Sequence, residues 1–283
     1  MMVMRKLKDA VYGFAVGDAL GVPFEFKRRG SFRCTDMVGY GTWNQEAGTW
    51  SDDTSMLLAT CDSIKKHDRC IQVHDIMDNF YQWYSSANYT AHHERFDIGN
   101  TTEEALEQYG LGYSPMECGQ SALYSNGNGS LMRILPLAFI DCEEDEIRKV
   151  SSLTHAHYIS KEACVIYVEI AKQLLQGESI QSILSSRLWK EPFERLGRLV
   201  QLTESDIKSS GYVIDTLEAA LWCVSTTNTY KHSILKAVNL GEDTDTVAAV
   251  AGGLAGILYG YEQIPSEWID KLAAKEVIDS CLF

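Results

Sequence analysis

An acidic turn followed by a long uncharged run is the feature that most limits how this chain can fold. The turn, residues 241–246, has the sequence Gly-Glu-Asp-Thr-Asp-Thr, and residues 247–260 after it carry no charge and are rich in Ala, Leu, Val and Gly. This composition favours a buried helix over a strand. Asp243 and Asp245 would then lie at the helix N-terminus, where free N–H groups and the helix dipole favour negative charge.

Small residues recur at four-residue intervals on this predicted helix and on another, predicted over residues 8–20. Residues at this spacing share one helix face, and glycines there let a second backbone approach closely. We infer that these two helices, or their close neighbours, cross tightly in the middle of the fold. The small residues are Ala248, Gly252, Gly256 and Gly260 in the later helix, and Gly13, Gly17 and Gly21 in or directly after the earlier one.

A second acidic helix start occurs near residue 50, where residues 48–55 have the sequence Gly-Thr-Trp-Ser-Asp-Asp-Thr-Ser before an apolar run. Both clusters combine two aspartate carboxylates with hydroxyl groups. One interpretation is that these groups only cap their helices. The other is a metal site, because buried carboxylates at this density are costly unless a cation lies among them.

Two such clusters in one chain favour the metal site. Carboxylate and hydroxyl oxygens suit Mg²⁺ or Mn²⁺, as one ion or two, and the lack of His and Cys in either cluster argues against zinc. The candidate ligands are Ser51, Asp52, Asp53, Asp243, Asp245 and Thr246.

Two further carboxyl groups lie on predicted loops. Glu25 follows a helix stop and stands between two phenylalanines, and apolar surroundings raise the pKa of a carboxyl group towards the range useful for acid–base catalysis. Considered alone, Glu25 is better interpreted as an exposed residue that pairs with a neighbouring basic side chain. Asp97 precedes a predicted helix in a loop with Gly and Asn, where a polar group can face a ligand; by itself it is a turn aspartate.

Residues 125–130, Ser-Asn-Gly-Asn-Gly-Ser, are the best candidate for binding a phosphate group. A loop of this composition that opens a helix offers free N–H groups to an anion, although it is neither a Walker loop nor a dinucleotide-binding fingerprint. The candidate contacts are Gly127, Asn128, Gly129 and Ser130. His155 is a further candidate, with a core or capping histidine as the more ordinary interpretation.

Charge and cysteine usage limit the partners and the compartment. The net charge of −14 argues against nucleic acid or an anionic membrane. The longest uncharged apolar run, residues 247–261, is too short to span a bilayer, and no signal peptide is indicated. Eight scattered cysteines without a C-x-x-C pair fit free thiols in a cytoplasmic protein. We expect a monomer, because no extended heptad or exposed apolar stripe is present.

The pattern along the chain predicts an all-α fold. There is no alternation of strands and helices, no repeat of 20 to 50 residues and no low-complexity linker. We therefore expect one globular domain over residues 1–283, built from ten or more helices.

Five motifs, in order, resemble those of the ADP-ribosylglycohydrolase family. The chain is similar to the branch that contains dinitrogenase-reductase-activating glycohydrolase and the ADP-ribosylarginine hydrolases, and the motifs extend over nearly all of it. They are Gly13-x-x-x-Gly17-Asp18-Ala19-Leu20-Gly21-x-Pro23-x-Glu25, Trp50-Ser51-Asp52-Asp53-Thr54, Asp97-Ile98-Gly99-Asn100-Thr101, Gly127-Asn128-Gly129-Ser130-x-Met132-Arg133 and Gly241-x-Asp243-Thr244-Asp245-Thr246.

The resemblance implies an all-α fold and a binuclear Mg²⁺ or Mn²⁺ centre. It assigns residues 51–53 to a first metal-binding triplet, with Ser51 where the family often has Thr, and Asp243, Asp245 and Thr246 to a second. It also implies that Asp97 lies near the scissile bond, that Glu25 occupies a position catalytic in some relatives, and that residues 127–130 wrap the diphosphate of ADP-ribose.

The activity implied is hydrolysis of the N-glycosidic bond between ADP-ribose and an acceptor, with protein arginine as the first expectation. The partners would then be an ADP-ribosylated protein as substrate and ADP-ribose as product. Two alternatives stay open. One is hydrolysis of another linkage, in O-acetyl-ADP-ribose, to serine or to a nucleic-acid end. The other is a member that binds ADP-ribose without catalysis.

Overall fold

The computed structural model describes residues 2–283, and its regular elements are all helical, which confirms the predicted fold class. Short 3₁₀ segments connect several of the helices, one of them at Asn128–Arg133. The helices are α1 (Met2–Gly21), α2 (Asp52–Lys66), α3 (Val73–Ser86), α4 (Asn100–Gly110), α5 (Pro115–Cys118), α6 (Glu144–Ser152), α7 (Tyr158–Leu175), α8 (Ile180–Ser185), α9 (Val213–Ser225), α10 (Tyr230–Val238), α11 (Thr244–Tyr259), α12 (Ser266–Lys271) and α13 (Lys275–Cys281).

The crossing of α1 and α11 is the centre of the molecule, as the glycine spacing predicts. A methyl group added at Gly17 would overlap the backbone of Ala248, and one added at Gly252 would overlap the backbone of Gly13. The Tyr230 hydroxyl, on the neighbouring helix α10, donates a hydrogen bond of 2.6 Å to the Gly13 carbonyl oxygen. Only glycine lets the two backbones come this close, because any Cβ would overlap the backbone of the other helix.

Helix α11 is buried on every face from Thr244 to Ile257. Such a helix belongs in the core of a larger protein. It packs against α1 and also against α7, α9 and α10, which surround it. Its N-terminus, with the acidic turn, therefore opens from the interior of the protein.

The C-terminal segment, residues 265–283, is not one continuous helix. It forms two short helices, α12 and α13, which are separated at residues 272–274. There the Ala273 N–H donates to the Gly48 carbonyl oxygen at 3.0 Å, and Ala274 has a positive φ of 38°. The contact with Gly48 is far away in the sequence, so local periodicity could not indicate the break.

Two expectations about the chain as a whole concern its cysteines and membranes. All eight cysteines are free, and six of them are buried. Within residues 2–283, no helix is both long enough and apolar enough to cross a membrane. Met1, which is part of the predicted domain, lies outside the described residues.

Candidate metal centre and ligand cleft

The first acidic helix start is held in place by a carboxylate from α1. Ser51 is the N-cap of α2, and its Oγ accepts a hydrogen bond of 3.2 Å from the Asp53 N–H. The side chain of Asp18 accepts from the backbone N–H groups of Ser51 and Thr54, both at 3.0 Å. Asp18 thereby satisfies donors that a helix N-terminus leaves without partners. The carboxylates of Asp52 and Asp53 in the first turn are both buried.

The second acidic helix start is tied to the same C-terminal end of α1. The Thr244 hydroxyl donates to the Gly21 carbonyl oxygen at 2.8 Å. Glu242, with a positive φ of 63°, donates its N–H to the Lys27 carbonyl oxygen at 2.8 Å. These bonds hold the turn before α11 against the loop that carries Glu25. Three segments that are distant in sequence therefore meet at the end of α1.

The carboxylates from these segments converge. Oxygens of Asp18, Asp53 and Asp245 lie within 4.8 Å of one another, and so do oxygens of Glu25, Asp243 and Asp245. Asp245 belongs to both groups, so the two groups adjoin. The two acidic clusters that were recognised in the sequence are thus brought together with two further carboxylates.

The chemistry of this donor set fits a divalent cation. Asp53 Oδ1 and Asp243 Oδ1 are buried and have no hydrogen-bond partner among the described residues. Burial raises the pKa values of Asp52, Asp53 and Asp245 well above the usual range, and neighbouring carboxylates raise them further. Unpartnered buried carboxylate oxygens are costly, and oxygen ligands of this kind are those that Mg²⁺ and Mn²⁺ prefer.

Asp18 is a member of this cluster that is not among the candidate residues predicted from the sequence, although it belongs to the first motif. A signal existed, since Asp18 is an acidic side chain inside an apolar helix whose neighbours are Gly17 and Ala19. A charge buried in a helix with small residues on both sides needs partners from elsewhere.

Glu25 and Asp97 form a carboxyl pair at the mouth of the cluster. Glu25 is 5% exposed, so the interpretation as an exposed, paired glutamate is wrong. Its Oε2 accepts a hydrogen bond from Trp43 Nε1. Burial, and then the charge of Asp97, raise the pKa of Glu25 to about 9, and burial followed by Asp243 raises the pKa of Asp97 to about 6. Asp97 has a positive φ of 56°, so its backbone is in the left-handed region that non-glycine residues seldom adopt.

The glycine loop, residues 127–130, faces this pair across a cleft. Asn128 Nδ2 donates to Asp243 Oδ2 at 2.8 Å and to Thr216 Oγ1 at 2.9 Å. These bonds link the glycine loop directly to the acidic cluster. Ser130 is fully buried below the loop, where its Oγ accepts from Ser151 Oγ at 3.0 Å, and it does not line the cleft.

The cleft has a volume of about 340 Å³. Its lining brings together most of the residues proposed from the sequence. Ser51, Asp53 and Asp245 are buried and do not line the cleft. The proposed residues that line it are Glu25, Asp52, Asp97, Gly127, Asn128, Gly129, His155, Asp243 and Thr246. No Lys or Arg side chain of the described residues is part of that lining.

A second pocket of about 300 Å³ adjoins the cleft at Asp97 and Ile98. We call it the side pocket; its walls include Trp43, Phe96 and Glu103. The ring centroids of Trp43 and Phe96 lie 5.8 Å apart. The sequence does not indicate that Trp43 faces a pocket, because residues 30–50 show little periodicity.

The chain is similar to known proteins over nearly its whole length. The family model described as ADP-ribosylglycohydrolase matches residues 2–282. The ADP-ribosylarginine hydrolase Tri1 of Serratia proteamaculans is 36% identical over 98% of this chain and 78% of its own length. The ADP-ribosyl-[dinitrogen reductase] glycohydrolase of Rhodospirillum rubrum is 32% identical over 94% of this chain and 90% of its own. A solved structure described as an ADP-ribosylglycohydrolase-related protein complex superimposes with a TM-score of 0.81 at 30% identity, covering 99% of this chain and 96% of that one.

Proposed function

Because the chain belongs to the ADP-ribosylglycohydrolase family, we propose that it is a hydrolase that needs a divalent cation and releases ADP-ribose from modified arginine side chains. The observation that carries the proposal is the convergence of two acidic clusters at a cleft that the glycine loop also lines. Two relatives named as ADP-ribosylarginine hydrolases, at 36% and 35% identity, support arginine as the acceptor.

We propose that two Mg²⁺ or Mn²⁺ ions are held by the side chains of the two helix starts. Asp18 is proposed to orient the ligand side chains at the start of α2. When bound, such ions supply Lewis-acid polarisation and orientation for oxygen atoms of the substrate. The residues that would hold them are Ser51, Asp52, Asp53, Asp243, Asp245 and Thr246.

The glycine loop is proposed to bind the diphosphate of ADP-ribose. Its backbone N–H groups can donate to phosphate oxygens without any basic side chain. This is compatible with a net charge of −14. Asn128 ties the loop to Asp243, so binding of the diphosphate and orientation of the distal ribose depend on one connected structure.

Cleavage breaks the bond between C1″ of the distal ribose and the leaving nitrogen of the acceptor. Positive charge develops on C1″, and the carboxylate of Asp97 is proposed to stabilise it and to relay to that nitrogen a proton from the water that adds to C1″. Glu25, whose pKa of about 9 keeps its carboxyl group protonated at neutral pH, is proposed to orient Asp97 as a hydrogen-bond donor. Two carboxyl groups that divide these roles are the usual arrangement for hydrolysis of glycosides.

The side pocket supports a guanidinium acceptor. A cation can bind over the face of Trp43 and near Phe96, because the faces of aromatic rings attract positive charge. Arg95 also lines the pocket. Its guanidinium already has an aromatic partner, because it lies 4.5 Å from the ring centroid of Tyr84. The pocket meets the cleft at Asp97, the residue proposed to protonate the leaving nitrogen.

The test is a panel of substrates assayed for ADP-ribose release with Mg²⁺, with Mn²⁺ and after chelation. We expect arginine-linked ADP-ribose to be hydrolysed faster than O-acetyl-ADP-ribose, serine-linked or nucleic-acid-linked ADP-ribose, and only in the presence of metal. Preference for another linkage would replace arginine as the acceptor. Full turnover after thorough chelation would contradict the metal centre, and binding of ADP-ribose without any turnover would indicate a non-catalytic member.

A pair of variants tests the acceptor subsite. Trp43→Leu removes the aromatic face and is expected to raise KM for the arginine-linked substrate by about fivefold, the loss of one partly exposed cation–π contact. Trp43→Phe keeps an aromatic face but loses the hydrogen bond to Glu25, so it separates the two contributions. Equal KM values in Trp43→Leu and the wild type would contradict binding of the acceptor here.

We also propose that residues 1–283 form one domain that acts as a cytoplasmic monomer. One continuous hydrophobic core, with contributions from nearly every helix, supports the single domain. Sedimentation equilibrium tests the oligomeric state, and a stable dimer would contradict it.

A further inference from the structure

His155 lies below the glycine loop with one ring nitrogen available to the cleft. The residue is 2% exposed and yet lines the cleft. A Cβ added at Gly127 would lie 3.5 Å from its Nε2, so the ring is packed against the loop. Among the described residues, the one side-chain hydrogen bond of His155 is made by Nδ1. Buried polar groups normally have partners, so Nε2 is suited to a partner in the cleft.

The neighbours of Nδ1 decide where the ring hydrogen lies. Nδ1 is 2.7 Å from Thr154 Oγ1, and the same hydroxyl accepts a hydrogen bond of 2.8 Å from the Arg133 guanidinium. Thr154 is completely buried, and its hydroxyl hydrogen has no acceptor other than Nδ1 among the described residues. If Nδ1 carried the ring hydrogen, the hydroxyl hydrogen would be buried without an acceptor, which is costly. Nδ1 is therefore the acceptor, and in a neutral ring the hydrogen is on Nε2.

The surroundings keep the ring neutral. Burial, and then the charge of Arg133, lower the pKa of His155 to about 3. Arg133 is itself fully buried, stacks 4.6 Å from the ring centroid of Phe80, and donates to the Gly129 carbonyl oxygen as well as to Thr154. One guanidinium thus holds both the glycine loop and the hydroxyl that faces His155.

We propose that Arg133 and Thr154 are positioning residues that hold His155 as its Nε2–H tautomer, so that a neutral imidazole donates a hydrogen bond to a diphosphate bound at the glycine loop. The choice of ligand, the diphosphate of ADP-ribose, rests on the proposed function. The tautomer does not, because it follows from contacts within the protein alone. A neutral donor differs from a lysine or arginine at such a site in that it adds no charge to the cleft.

The first experiment determines the tautomer in the wild-type protein without ligand. Selective ¹⁵N labelling of histidine gives distinct shifts for protonated and bare ring nitrogens, and the spectrum of His155→Gln assigns the His155 signals by their absence. We expect a protonated Nε2 and a bare Nδ1 at neutral pH. A protonated Nδ1, or a doubly protonated ring, would overturn the proposal whatever the protein binds.

The second experiment compares Thr154→Val with Thr154→Ser. Valine has the shape of threonine without the hydroxyl, whereas serine keeps the hydroxyl. Thr154→Val is expected to populate the Nδ1–H tautomer and to weaken ADP-ribose binding, measured by calorimetry, by about tenfold, the net loss of one hydrogen bond. Thr154→Ser is expected to keep the wild-type tautomer and to restore most of the affinity. Thermal melting of both variants establishes that they are folded.

Turnover adds a readout that general loosening of the protein would not give. Because the diphosphate contact is made in both ground state and transition state, Thr154→Val should raise KM while kcat changes little. Unchanged tautomer and unchanged affinity in Thr154→Val would remove Thr154 from this role. A wild-type protein that shows the Nε2–H tautomer but does not bind ADP-ribose would instead contradict the proposed function.

Discussion

Asp18 is the residue on which the geometry of the acidic cluster depends. Its two oxygens accept hydrogen bonds from the Ser51 and Thr54 N–H groups and from the Thr54 hydroxyl. These bonds fix the first turn of α2 against Asp18. The same carboxylate lies within 4.8 Å of Asp53 and Asp245 oxygens. One side chain thus orients a helix start and shares the space in which we propose that the metal is bound.

Replacing Asp18 should therefore change both stability and metal binding. Asp18→Ala leaves buried N–H groups without an acceptor and is expected to lower the free energy of unfolding by about 2 to 3 kcal/mol. It should also weaken Mn²⁺ binding at least about tenfold, as loss of a residue that orients metal ligands commonly does. Urea unfolding and calorimetric titration with Mn²⁺ measure the two effects.

Asp9 supplies the matched control on the same helix. It is 5% exposed and accepts a hydrogen bond of 3.0 Å from the Tyr261 N–H, away from the acidic cluster. Asp9→Ala should lose stability but keep Mn²⁺ affinity. If both variants kept wild-type affinity for Mn²⁺, Asp18 would be a structural residue only.

Asp97 gives a second prediction at the scale of single residues. Asp97→Asn keeps the shape of the side chain but removes the charge and the ability to transfer a proton, so kcat for the arginine-linked substrate should fall about 100-fold or more. ADP-ribose affinity should change little, which calorimetry can check. Glu104→Gln, an exposed acidic residue on α4, is the control and should keep wild-type kcat. Wild-type kcat in Asp97→Asn would exclude this residue from the chemistry.

At the scale of elements, α1 and α11 form the structure that carries the site. Their glycine faces let the backbones touch, and the contact continues to Gly21, where an added methyl group would overlap the backbone of Asp245. The same backbone contact that packs α1 against α11 therefore also sets the position of Asp245. A shift of α11 by even part of a methyl diameter would move Asp245 away from Asp18 and Asp53.

An alanine at the crossing should reveal this coupling. In Gly252→Ala the new methyl group would overlap the backbone of Gly13, and overpacking of this kind lowers the free energy of unfolding by about 1 to 3 kcal/mol or more. We expect Mn²⁺ affinity to fall as well. Gly99→Ala is the control, because no heavy atom lies within 4 Å of its added methyl group; it should unfold within about 0.5 kcal/mol of the wild type, as substitutions without a structural conflict usually do. Equal stability of the two variants would mean that the crossing tolerates a methyl group.

Helix starts, helix stops and the crossing of α1 with α11 could be predicted from the sequence, because capping residues, Gly21 before Pro23 and four-residue glycine spacing act locally or through one helix face. The side pocket could not, because the segment from Glu25 to Ser51 is held by distant contacts. Arg29, for example, donates to the carbonyl oxygens of Leu240 and Ile207 at 2.8 and 2.7 Å.

The position of His155 also depended on distant contacts. Backbone hydrogen bonds of Gln120 to Thr154 and Ala156, at 2.9 and 2.8 Å, hold His155 against the glycine loop. The sequence does not decide whether His155 is a core histidine or a ligand contact. In the structure it is buried and also lines the cleft.

At the scale of the whole molecule, the cluster of buried carboxylates should make stability depend on divalent cations. An ion that binds only the folded state stabilises it by about 2.7 kcal/mol when the free ion is at 100 times its Kd. We therefore expect the melting temperature to fall after chelation and to rise again as Mn²⁺ or Mg²⁺ is added. Differential scanning calorimetry across a range of metal concentrations measures this dependence.

The control for metal linkage is Asp245→Asn, which removes the carboxylate shared by both groups of acidic residues. Its melting temperature should respond little to metal. A wild-type melting temperature that is the same with chelator and with excess Mn²⁺ would contradict a metal centre at this position.

The meeting of Asp18 with Asp245 has a consequence for biosynthesis. Asp18 leaves the ribosome early, whereas Asp245 follows only when most of the chain has been translated. Nascent chains that stop short of α11 can neither fill the groove on α1 nor assemble the cation-binding cluster. Premature termination should therefore yield fragments that are inert rather than partly active, and the protein acquires hydrolytic competence late in its own synthesis.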